Sequence, residues 1–117
     1  MPDNYIQVIT TTEKKDTAEE IAQKVVAKKL AACVQVVGPI ISTYWWQNKI
    51  EKSEEWLCLI KTKKELYNEL ESTIIKMHPY EIPEVIALPL VAGNKDYLKW
   101  LEDNIGNKRG DLCLKIS

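Results

Sequence analysis

Apolar and polar residues alternate from Tyr5 to Thr12, with many β-branched side chains, and this predicts a strand. From Asp16 the period changes. Ala18, Ile21, Ala22, Val25 and Val26 recur at helical spacing, and Asp16-Thr-Ala-Glu19 has the form of a capping box. A helix is therefore expected from Asp16 to about Leu30, laying its apolar stripe on a sheet. Leu30 to Val37 is an almost unbroken apolar run, as a central strand requires. Gly38-Pro39 should bend or bulge it before it resumes through Ile40 to Trp46. Gln47-Asn48-Lys49 supplies a turn, and Ile50 to Thr62 returns as a second long strand. Trp56, Cys58 and Ile60 then share one face, with Leu57 and Leu59 on the other.

Thr62, with Glu65 three residues on, predicts the cap of a second helix carrying Leu66, Leu70, Ile74 and Met77. His78-Pro79 ends it, because a residue before proline is steered out of the helical region. Ile82 to Val91 is a further strand, and Pro83 and Pro89 point to an edge or a bulge there. Asn94 is expected to cap a third helix with Tyr97, Leu98 and Leu101, ending near Ile105-Gly106. Leu112 to Ile116 is long enough for one short terminal strand.

The order is β-α-β-β-α-β followed by a C-terminal helix. A split β-α-β pair gives an α+β, ferredoxin-like fold: a four-stranded antiparallel sheet with helices on one face. The 117 residues suit one domain, 1–117. Two features predict self-association: a sheet face that the helices leave uncovered, and a hairpin longer than a small domain needs.

Composition narrows the function. Sixteen basic and seventeen acidic residues leave a net charge of −1 with no basic block, which argues against nucleic acid as a partner. The longest run free of charged and polar side chains, Val85 to Gly93, is far short of the roughly 20 residues a membrane-spanning helix needs. The first residues show no basic segment followed by an apolar one, so no membrane association and a cytoplasmic location are expected. Three scattered cysteines, Cys33, Cys58 and Cys113, fit neither a disulfide framework nor a zinc ribbon. Cys33 and Cys58 lie in apolar runs and read as small core residues.

No catalytic set can be assembled from the sequence. There is one histidine, no Gly-x-Ser-x-Gly elbow and no phosphate-binding glycine motif. The only arginine is Arg109, near the end, so an acylphosphatase-like anion cradle is not supplied. His78 has two readings: an imidazole set against a helix C-terminus, or a ligand for Cu(II) or Zn(II). Within one helical turn of it only Glu81 could join as a ligand. Tyr44-Trp45-Trp46 cannot all enter one core, since consecutive strand residues face opposite ways. They are expected at an interface, a ligand platform being the alternative. The acidic run Glu51 to Glu55 reads as a solvated hairpin edge.

These stretches together resemble the CutA, divalent-cation tolerance, family. The resemblance is carried by Ala18 to Val37, by Tyr44-Trp-Trp with Glu54 and Lys61-Thr62, by His78-Pro-Tyr-Glu-Ile-Pro-Glu84 and by Asn94 to Trp100. It implies a ferredoxin-like subunit in a PII-like homotrimer, with Tyr44, Trp45 and Trp46 at the trimer interface. It also implies a role in the response to metal ions with weak Cu(II) or other divalent-cation binding, and no enzymatic activity. In bacterial relatives the proposed copper ligands are a cysteine near the end of the first strand and a His-His pair. Here Thr10 stands near the first, and Met77-His78 replaces the second, so His78 alone carries over as a metal residue. A pocket between subunits is expected where Lys61, His78, Tyr80 and Glu84 could converge. The alternative reading is a PII-like scaffold or sensor, working through a small ligand or a protein partner without a metal. An enzyme would have only Lys61 and His78 for acid–base work.

Overall fold

A computed structural model describes residues 4–106. Seven elements follow one another: β1 (Tyr5–Thr12), α1 (Lys15–Ala27), β2 (Cys33–Trp46), β3 (Lys49–Lys63), α2 (Tyr67–Met77), β4 (Val85–Pro89) and α3 (Lys95–Asp103). The strands form one sheet in the order β2-β3-β1-β4, every neighbouring pair antiparallel. This is the split β-α-β, ferredoxin-like arrangement of an α+β chain. Pro89 foretold the place of β4, which is an edge; β2, whose apolar run suggested a central strand, is the other edge, and β3 and β1 are central. The expected terminal strand at Leu112 to Ile116 lies outside the described residues.

Alternation dictates the core. Ile6, Val8 and Thr10 of β1 and Cys58 and Ile60 of β3 turn to the helix side and are buried. Against them lie Ala18, Ile21 and Val25 of α1 and Leu70 and Ile74 of α2. The opposite face, with Ile9, Leu57 and Leu59, is only half-covered.

Several boundaries differ from the sequence expectation. The capping box does not form: Lys14 is the N-cap of α1, and Asp16 sits in the first turn, where its charge suits the helix dipole. At the other end α1 stops at Ala27, not Leu30. Lys29 takes the left-handed conformation at φ 61°, and the amides of Lys29 and Leu30 donate to the carbonyls of Val26 and Val25. This is a Schellman ending made without glycine. Leu30 and Ala31 are buried in the connection, and β2 begins only at Cys33. Nor does Thr62 cap a helix. It is a buried β3 residue whose hydroxyl donates to the Leu30 carbonyl (2.7 Å), and a 3-10 turn at Lys64–Leu66 precedes α2. The fourth strand is five residues long, shorter than the expected Ile82 to Val91. Asn94 does precede α3, but makes no side-chain cap bond.

The β2–β3 hairpin is as long as expected. Gln47 and Asn48 turn it with positive φ at both positions, and Trp46 pairs with Lys49, as a two-residue hairpin loop requires. At Gly38-Pro39 the register slips: Val37 faces Leu57 but Ile40 faces Glu55, one extra residue on β2. Gly38 lies under the Trp56 ring, where an added Cβ would come within 2.6 Å of Cε3. β1 ends opposite Trp56, so beyond the bulge the hairpin projects with neither β1 nor a helix beside it.

Candidate functional site

The segment after α2 turns back to this projection. His78 is 9% exposed and tied at both ring nitrogens. Nε2 lies 2.7 Å from the Thr11 carbonyl oxygen, and the Tyr80 amide donates to Nδ1 at 3.2 Å. A carbonyl only accepts and an amide only donates, so the proton sits on Nε2 and the Nδ1 lone pair is committed. The Tyr80 ring packs against the imidazole at 4.6 Å between centroids. Its hydroxyl donates to Glu55 Oε2 at 2.6 Å, across to the first β3 residue beyond the end of β1. Burial, then the hydrogen bond and the charge of Glu55, push the Tyr80 phenol above its usual range.

Between this segment and the hairpin opens a cavity of about 890 Å³. Tyr44, Trp45, Trp46, Glu55, Tyr80 and Glu84 are among its lining residues; by register Tyr44 and Trp46 share the face of Glu55, while Trp45 points to the opposite face of the hairpin. Five sequence-selected residues thus meet: the three hairpin aromatics, Tyr80 and Glu84. His78 stands behind the wall, not on it. Lys61 is elsewhere: it shares a β3 face with Glu55 but lies six residues, about 20 Å, along the strand, and its Nζ donates to Gln35 Oε1.

Glu55 is the residue that the sequence reading missed. It was assigned to a solvated edge, yet it is 6% exposed. The signal was its parity with Leu57 and Leu59, which puts it on the same β3 face as two apolar residues. Three more carboxylates, Glu13, Glu81 and Glu84, line the cavity, and among the described residues no Lys, Arg or His does.

The residues present do not fit a resident metal at His78. Both its nitrogens are engaged, and among the described residues no three His, Cys, Asp or Glu side chains converge. Met77 packs against the core. Thr10 is wholly buried opposite Cys58, its hydroxyl without a partner among the described residues. Cys58 is inert: burial pushes its thiol up to about 11, and it donates weakly to the Ala18 carbonyl at 3.7 Å.

Comparison with known proteins decides the family. Residues 6–104 match the profile described as CutA1 divalent ion tolerance protein. The chain belongs to the CutA1 family. It is 38% identical over 99 residues to the divalent-cation tolerance protein CutA of Thermus thermophilus, covering 85% of this chain and 96% of that one. It is 43% identical over 101 residues to the mouse protein CutA, where the match spans 86% of this chain but 57% of the mouse protein. Among solved structures, CutA1 from the psychrotrophic bacterium Shewanella sp. SIB1 superposes with a TM-score of 0.86 at 39% identity, covering 92% of this chain and all of that one. CutA1 proteins are tolerance proteins, and divalent-cation tolerance is the function the family is named for.

Proposed function

We infer that this chain serves divalent-cation tolerance as a cytoplasmic homotrimer, without enzymatic activity, and that the projecting hairpin is its means of assembly. One observation carries this reading. Ile41, Trp45 and Ile50 on the projection are 67%, 71% and 63% exposed in the single chain, and apolar residues so displayed mark an interaction surface. Among the described residues β2 and β4 are the two edges of the sheet, and an edge strand offers unpaired backbone groups for pairing. Free thiols at Cys33 and Cys58 accord with a reducing compartment, although the CutA of Archaeoglobus fulgidus is described as periplasmic.

How the trimer meets the metal has two readings. In the first, His78 takes Cu(II) weakly. It must then give up the Tyr80 amide at Nδ1, keeping Nε2–H on the Thr11 carbonyl, and draw its further ligands from a neighbouring subunit. In the second, the cavity and intersubunit surface bind a small ligand or a protein, with no metal at His78. The double engagement of the imidazole favours the second. Native mass spectrometry with and without Cu(II), on the wild type and His78→Ala, tests both. A trimer without stoichiometric copper supports the second reading. Whole-number copper lost in the variant supports the first, and a monomer overturns the assembly.

A further inference from the structure

We draw no further inference here: the strongest candidate, the sheet face away from the helices, where Val37, Ile86 and Leu88 stand exposed in line with Ile9, Leu57 and Leu59, is an unpartnered apolar surface, and nothing in the structure shows what covers it.

Discussion

β2 and β3 run through two regions under different rules. Under the helices, every second residue of β3 finds a partner within the chain, and Cys58 and Ile60 lose all contact with water. Past the bulge the same two strands keep their pairing, but Ile41, Trp45 and Ile50 face outward. The alternation in sequence is much the same in both. What differs is whether the fold sets anything opposite the apolar side. Hydrophobicity along a strand shows that a surface is to be covered, and topology shows whether the chain itself covers it.

Four substitutions would break or sharpen that contrast. Ile60→Ala, at the centre of the covered region, should cost about 2–5 kcal/mol in a urea titration, because the packed neighbours cannot close the void. Trp45→Ala, at the uncovered end, should leave the circular dichroism of the subunit unchanged. Sedimentation velocity should then show weaker association, by roughly 2 kcal/mol or more if this ring anchors the interface. Gly38→Ala strikes the junction. Its methyl group meets both the Trp56 ring and, at 3.1 Å, the Glu55 carbonyl oxygen, so a loss of about 1–3 kcal/mol is expected, with disturbed Trp56 fluorescence.

Tyr80→Phe has the smallest effect. It leaves the buried Glu55 carboxylate without its one hydrogen bond and should cost about 1–2 kcal/mol. It also has a pH signature. The folded Tyr80 phenol, its pKa raised by burial and by Glu55, keeps its proton at a pH where an unfolded tyrosine, with pKa near 10, has lost it. Stability is therefore intact below about pH 10 and falls as pH rises beyond it. Thermal melts of the wild type and Tyr80→Phe between pH 8 and 11 should converge as the wild type loses this advantage. Parallel curves would mean that the hydrogen bond contributes nothing to folding.

The regular elements were legible because their signals are local. Alternation marked β1 and β3, helical spacing marked α1 and α2, and Pro89, with Pro83 just ahead of the strand, marked β4 as an edge. Gln47-Asn48 stood where the hairpin had to turn. What escaped depended on distant groups. Thr62 and Glu65 match a helix cap, but the Leu30 carbonyl, 32 residues away, claims the Thr62 hydroxyl. The end of α1 was hidden because a lysine, not a glycine, adopts the left-handed conformation there. At the site, Tyr80, Glu84 and the aromatics stood out by motif. Glu55 did not, because its burial depends on a segment that returns 25 residues later.

The register break between Val37 and Ile40 gives the projecting hairpin the character of a lever. Seven residue pairs extend beyond it, a length of about 23 Å at the usual strand rise. A bend of about 10° at the break would carry the tip about 4 Å while the covered sheet stood still. The Tyr80–Glu55 bond and the cavity lie beside the fulcrum, where a small displacement has its longest reach.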